Sequence, residues 1–241
     1  VFQGRYGHTA ITDSIASVNS GALRDLDIVN ESVTWSAGID QTLYRTPADW
    51  VTATLAFESR RSRSTLDGAP HSFSDGLENG RGELSVVRSD LAWTRRMRAS
   101  ALSLHSSARF GVDTLGATVH RGDGLAGDLP DGIFKSWIGQ LRLVHRIERG
   151  GIELGLRGDV QLSDRPLFPL EQFAIGGPGS VRGYQTNRLA GDQGFSAGVD
   201  VRVPLWRTVT GRSVVSMIPF ADIGRVWNRS RPDRDRPTLP S

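Results

Sequence analysis

The chain has 241 residues, a length that suits one large all-β domain. Its 29 basic and 26 acidic residues leave a net charge of +3, which indicates no strongly charged partner such as a nucleic acid. It contains no cysteine, which excludes a disulfide framework and a thiolate metal site, and its apolar runs fall far short of the roughly 18 residues that a transmembrane helix requires.

Alternation of apolar and polar residues predicts nine β-strands and no helix. In 152–162, for example, Ile152, Leu154 and Leu156 share one face, while polar residues and a glycine occupy the intervening positions. In chain order, the predicted strands cover residues 1–9, 33–43, 51–57, 82–94, 99–110, 134–146, 152–162, 195–205 and 213–227. The alternation is clearest in the second, third, seventh and eighth of these strands.

The connections between the predicted strands alternate in length. Short turns are predicted at 44–49, 94–98, 148–151 and 206–212, and long loops at 10–28, 59–81, 111–133 and 163–194. Short periplasmic turns and long extracellular loops are typical of outer-membrane β-barrels. The pattern therefore favours an antiparallel transmembrane barrel, and the arginine-rich run at 60–64 is interpreted as a solvated part of an extracellular loop.

A soluble antiparallel sandwich stays open on patterning alone, because its solvated face also alternates with an apolar one. If the chain is a barrel, polar-face positions such as Gln161 and Ser196 should face a wet lumen and accept arginine more readily than the apolar face. An odd number of strands cannot close antiparallel, and the charged, proline-rich residues 228–241 offer no closing strand. We therefore expect an incomplete barrel that lacks strands at both ends.

The segment 173–195, FAIGGPGSVRGYQTNRLAGDQGF, is rich in glycine and lies between two predicted strands. It is not a Walker A loop, because no Gly-Lys-Ser/Thr closes it, and its glycine spacing does not fit the dinucleotide fingerprint. The chain also has no Gly-x-Ser-x-Gly nucleophile elbow. These absences argue against nucleotide binding and against a serine hydrolase of that type.

The longer stretch EQFAIGGPGSVRGYQTNRLAGDQGFSAGVDVRVPL, residues 171–205, resembles the loop-and-strand segment of two-partner secretion transporters. These form the haemolysin-activator branch of the outer-membrane protein 85 superfamily. The positions that match the family's loop motif are Gly176, Gly177, Ser180, Val181, Arg182, Gly183, Tyr184, Gly191 and Asp192. PFADIG at 219–224 resembles the family's second barrel motif and supplies Phe220, Asp222 and Gly224.

The resemblance implies a barrel of sixteen strands, of which this chain would hold the fifth to the thirteenth. The motif-bearing loop would be the sixth extracellular loop, folded back into the lumen, where Arg182 would pair with Asp222. Asp200 and Arg202, which alternation places on the same inner face, are predicted as secondary lumen charges. For an isolated pair, Arg182→Ala and Asp222→Ala should have similar effects. The whole chain is expected to be partial barrel, with no POTRA domain in it.

The implied function is passage of an unfolded exoprotein of haemolysin or adhesin type from the periplasm to the cell surface, in the bacterial outer membrane. The alternatives are an assembly factor of the same superfamily that inserts other barrels, and a passive porin-like channel or barrel enzyme. The expected partners are the exoprotein cargo and outer-membrane lipid, with no nucleic acid and no nucleotide. No cofactor, metal or enzymatic activity is expected.

Overall fold

The computed structural model describes residues 5–18, 28–72, 79–119, 129–147, 150–207 and 213–229. Nine strands run through these residues, as the sequence predicts. They are β1 (Arg5–Val18), β2 (Ile28–Arg45), β3 (Asp49–Leu66), β4 (Arg81–Arg96), β5 (Ser100–Gly111), β6 (Lys135–Ile147), β7 (Ile152–Ser163), β8 (Gln193–Arg207) and β9, which has two segments, Ser213–Met217 and Phe220–Trp227. A two-residue strand, Ala69–Pro70, extends the end of β3.

Each strand pairs antiparallel with the next strand in the sequence, from β1 to β9. The turn between β2 and β3 shows how the short connections are closed. The N–H of Thr46 donates to the carbonyl of Asp49 at 2.7 Å, and its hydroxyl accepts the N–H of Asp49 at 2.8 Å. The predicted turns at 148–151 and 206–212 lie partly outside the described residues, and residues 1–4 and 230–241 lie wholly outside them.

Burial on the two faces of the sheet is inverted relative to a soluble protein. On one face, Leu55 and Leu91 are 57% and 48% exposed; on the other, Asp159 and Gln161 are 8% and 3% exposed. A soluble sandwich buries its apolar face, whereas a membrane barrel turns that face towards lipid and encloses the polar one. The predicted fold class, a partial antiparallel transmembrane β-barrel, is therefore confirmed. Among the described residues, no helix has both the length and the apolar character needed to cross a membrane.

The strands extend further than the alternation predicts, so two predicted loops are too long. β1 continues to Val18 and β3 to Leu66, through much of the segments 10–28 and 59–81. Over 59–64 both faces of β3 carry only arginine and serine, and the backbone ladder continues although β3 no longer alternates. Hydrogen bonding between strands does not require alternation; only burial of one face in an apolar phase does.

The interpretation of 60–64 as a solvated run is wrong for Arg60. Its Nε donates to Oγ1 of Thr34 at 3.2 Å, and its Nη1 lies 3.6 Å from Oε1 of Glu171. The neighbouring Arg61 does remain largely in solvent. The run therefore has an inner side that takes part in packing.

The connection between β7 and β8 folds over the polar inner face of the sheet. It contains a 3-10 helix, Pro169–Glu171, and a small two-stranded sheet in which Phe173–Ile175 pairs with Leu189–Gly191. This loop covers Gln161, whose Nε2 donates to the carbonyls of Glu171 and Asp192, and Ser196 is also buried. The expectation that these two positions face a wet lumen is therefore wrong, because the loop takes the place of the water.

At the outer end of the sheet, this loop contributes to an apolar cluster. The cluster consists of Leu84, Val86, Phe134, Leu167 and Phe168. Two of these side chains come from β4, two from the loop between β7 and β8, and one precedes β6. Inward-facing residues at this level are thus both apolar and charged, since Leu84 lies opposite Arg60 in register.

Candidate functional site

The motif-bearing loop reverses direction through glycines. Gly176 and Gly177 adopt φ values of +113° and +88°, which residues with a side chain rarely adopt. A Cβ atom at Gly176 would also collide with the carbonyl oxygen of Gln185 in the returning part of the loop. The hydroxyl of Ser180 accepts the N–H of Gly176 at 2.8 Å, which closes the turn from the other side. This turn directs the following segment, 181–184, towards the barrel wall.

Arg182 binds Asp222 through three nitrogen atoms. Its backbone N–H and its Nε donate to Oδ2 of Asp222 at 3.0 and 2.7 Å, and its Nη2 donates to Oδ1 at 2.7 Å. The side chain of Asp222 is only 3% exposed, so this is a shielded bidentate ion pair. The structure thus brings together the two motif residues that lie 40 positions apart.

Two further residues surround the Arg182 guanidinium. Its Nη1 forms an ion pair with Oδ1 of Asp200, and the aromatic ring of Phe220 lies 3.7 Å from the guanidinium carbon, in cation–π contact. Arg182 lies in the connecting loop rather than in a strand. Its hydrogen bonds to Asp222, and to a smaller extent its hydrogen bond to Asp200, raise the pKa of the guanidinium above its already high value. The loop therefore carries a permanent positive charge against the wall.

Arg157, on β7, is a member of this site that the sequence reasoning missed. Its Nη2 donates to Oδ1 of Asp222 at 2.7 Å and to the carbonyl of Ser180 at 2.9 Å, and its Nη1 donates to the carbonyl of Pro178 at 3.3 Å. Arg157 thus holds both the acid of the wall and the backbone of the loop. Alternation had placed it on the polar face, but only the strand register shows which acid it meets.

The register explains how an arginine on β7 reaches an aspartate on β9. Gly198 of β8 lies directly between Arg157 and Asp222 in one row across the sheet. A Cβ atom at Gly198 would lie 2.5 Å from Nε of Arg157 and 2.5 Å from Oδ1 of Asp222. The missing side chain leaves room for the ion pair to span the middle strand.

Apolar contact complements the charges. Val181 is buried, and its Cγ2 would lie 2.9 Å from a Cβ atom at Gly224 of β9; Cδ1 of Ile175 would lie 3.3 Å from the same atom. The motif glycine of the wall is therefore a point of close approach between the loop and β9. Any side chain there would push the loop outward.

Asp192 organises the returning end of the loop. Its Oδ1 accepts the N–H of Leu167 at 2.9 Å and Nε2 of Gln172 at 3.1 Å, and its Oδ2 accepts the N–H of Arg229 at 2.9 Å. The neighbouring Gly191 lies against the backbone of β9. This aspartate is a structural centre of the loop and does not contact Arg182.

Three predicted site residues make no comparable contact. Tyr184 is exposed and Gly183 has open space around it, although its φ of +93° favours glycine. Arg202 is exposed and, within the described residues, forms no ion pair; Glu153, its neighbour in register on β7, pairs with Arg146 instead. Within the described ranges, no group of three or more His, Asp or Glu side chains is arranged to hold a metal ion.

An apolar outer face, a polar inner face and a long loop held on that inner face by ion pairs define an outer-membrane β-barrel with an inward-folded loop. The chain belongs to the family of haemolysin secretion/activation proteins ShlB/FhaC/HecB, whose family model matches residues 6–239. This is a family of two-partner secretion transporters of the outer membrane.

The fold is similar to that of solved structures of two proteins named CdiB. CdiB from Escherichia coli matches with a TM-score of 0.68 and 19% identity, over 84% of this chain and 36% of that one. CdiB from Acinetobacter baumannii matches with a TM-score of 0.66 and 15% identity, over 95% of this chain and 38% of that one. The chain thus spans less than two-fifths of the length of these structures. No curated protein was found to match it.

Proposed function

We propose that this chain is the central part of the barrel through which an unfolded exoprotein, of haemolysin or adhesin type, passes from the periplasm to the cell surface. The match to the secretion/activation family over residues 6–239 carries the proposal. The proposed partners are the exoprotein and the lipid that surrounds the apolar outer face.

The geometry of the loop supports this function. A loop that occupies the lumen must move or rearrange before a chain can pass, and the tip of this loop is held by hydrogen-bonded charges around Asp222. Water and the polar groups of a passing chain can replace such contacts, whereas they cannot replace a dry apolar interface. The proposed role of Arg182 and Asp222 is to hold the loop in the lumen between transport events.

The test is co-expression of the complete protein with a candidate exoprotein, preferably one encoded beside it, followed by detection of the exoprotein outside intact cells. The proposal expects surface or secreted exoprotein only when the transporter is present. Levels of unrelated outer-membrane barrels, measured by heat-modifiability, serve as the control and should not change.

The outcomes separate the alternatives. Unchanged exoprotein export together with a loss of other barrels would indicate an assembly factor. Neither effect, with passage of small solutes through the purified protein in lipid vesicles, would indicate a passive channel.

A further inference from the structure

The base of the inward-folded loop carries a buried carboxylate that the motifs do not include. Glu171 ends the 3-10 helix of the loop, and its side chain is only 4% exposed. Its Oε2 accepts a hydrogen bond from Nη1 of Arg109 at 2.7 Å, and its Oε1 lies 3.6 Å from Nη1 of Arg60. A carboxylate this deeply buried requires such compensation.

The two arginines belong to distant parts of the wall. Arg109 lies on β5 and Arg60 on β3, whereas the loop itself connects β7 and β8. The backbone of Glu171 is also fixed on the near side, because Nε2 of Gln161 on β7 donates to its carbonyl at 2.8 Å. Glu171 therefore ties the base of the loop to strands on both sides of the inner face.

The apolar cluster reinforces the same attachment. Leu167 and Phe168, just before Glu171, pack with Leu84 and Val86 of β4. β4 lies between β3 and β5 in the sheet, so the charged and the apolar contacts hold the loop base against the same region of the wall.

This attachment is separate from the one at the loop tip. The tip contacts Arg157, Asp200 and Asp222 on β7, β8 and β9, and the two sets of polar contacts have no residue in common. Gly176 and Gly177, with their positive φ values, lie between the base and the tip. The chain thus bends sharply between Glu171 and Arg182.

We propose that Glu171 is a positioning residue that anchors the loop base independently of the tip, so that the tip can leave Asp222 while the base stays attached. The role in transport rests on the proposed function, but the two-anchor arrangement does not. Loss of the Glu171 charge would leave two arginines with a neutral partner in a buried site, which weakens the base specifically.

The experiment is hydrogen exchange with mass spectrometry on the complete purified protein, without cargo, reading the segments 164–175 and 176–188 separately. Glu171→Gln should speed exchange in 164–175 at least tenfold, and Arg182→Ala should do so in 176–188 alone. Glu153→Gln is the matched control, because it removes the charge from an exposed pair, with Arg146 at 2.6 Å, and should change neither segment.

Coupling and folding are checked in parallel. Arg109→Gln should also speed exchange in 164–175, and its combination with Glu171→Gln should have less effect than the product of the two single changes. Heat-modifiability reports whether each barrel has formed; if Glu171→Gln does not fold, Arg60→Gln is expected to give the same pattern in milder form.

Three results would overturn the inference: unchanged exchange in 164–175 for the variants that fold, opening of both segments by Arg182→Ala, or independent effects of Glu171 and Arg109. Because no cargo is present, absence of exoprotein secretion would count against the proposed function and leave this result unaffected.

Discussion

Removal of Asp222 should disturb the docked loop more than removal of Arg182. The sequence alone predicts equal effects, because it indicates a simple pair. The structure shows one acid shared by two arginines, with Nη2 of Arg157 and Nη2 of Arg182 each 2.7 Å from the same Oδ1. Arg182→Ala leaves Asp222 paired with Arg157, whereas Asp222→Ala leaves two cations side by side.

The size of the difference follows from that geometry. The two Nη2 atoms cannot be further apart than twice 2.7 Å. Two unit charges about 5 Å apart repel by about 3 kcal/mol at an effective dielectric constant of 20. Asp200, which also pairs with Arg182, reduces this repulsion in the Asp222→Ala variant. Loss of a hydrogen bond to a charged group, about 1.5–3 kcal/mol, is common to both changes.

A single cysteine at position 181 provides the assay. Val181 is buried in the docked loop, and the 241-residue sequence contains no cysteine. Val181→Cys makes the side chain slightly smaller, so the substitution fits the docked position. In the complete protein, the rate of maleimide labelling then reports the population of the undocked loop. Because 1.4 kcal/mol corresponds to a factor of about ten, Asp222→Ala should label at least tenfold faster than Arg182→Ala, with heat-modifiability confirming an assembled barrel.

The double variant tests whether Arg157 and Arg182 share Asp222. Arg182→Ala combined with Asp222→Ala should label no faster than Asp222→Ala alone, because the second change removes one of the two unpaired cations. Equal labelling of the two single variants, or strictly additive effects in the double variant, would refute the shared-acid arrangement.

Two further predictions follow from the wall. Leu141→Arg, on the lipid face near the middle of β6, should destabilise the folded barrel by about 2–4 kcal/mol in a refolding titration. Gln140→Arg, at the adjacent exposed position on the inner face, should have a much smaller effect. Equal tolerance of the two substitutions would contradict the assignment of faces. Gly198→Ala should speed labelling of the position-181 cysteine, because the added methyl group would push Arg157 and Asp222 apart across β8. Gly158→Ala is the control and should not change the rate, because a Cβ atom there meets nothing within 4 Å. An unchanged labelling rate in both variants would show that the Arg157–Asp222 pair can shift at no cost.

The transmembrane part of the fold could be predicted because one face of each strand contacts lipid and the other faces the enclosed polar side. Lipid selects Leu154 and Leu156 on one face, and the enclosed side selects Glu153 and Arg157 on the other, so a period of two is visible in a single sequence. Beyond the lipid, β2 and β3 are held together by the backbone ladder and by polar contacts such as that between Arg60 and Thr34, and neither produces an alternating sequence. For that reason the outer ends of these strands were predicted as loops.

Contacts that depend on register or on loop packing could not be predicted in the same way. Arg157 meets Asp222 only because Gly198 lies between them in the sheet, and one sequence does not specify that alignment. Glu171 meets Arg109 because the loop crosses the inner face to reach β5. The Arg182–Asp222 contact could be predicted because both residues lie in motifs that resemble those of a known family.

The choice of charge to hold the loop tip has a physical consequence for its release. A shielded ion pair contributes little net stability, since desolvation offsets most of the attraction, yet it strongly penalises any arrangement that leaves one partner alone. With Arg157 and Arg182 on the same carboxylate, Asp222 remains compensated when Arg182 moves away with the loop, because Arg157 belongs to the wall and stays. The loop can then leave without stranding a buried charge behind it, and Asp200 alone loses its partner, at a side chain that is already 31% exposed to water. Under the proposed function, reversible docking of the loop therefore depends on Arg157 as well as on Arg182 and Asp222.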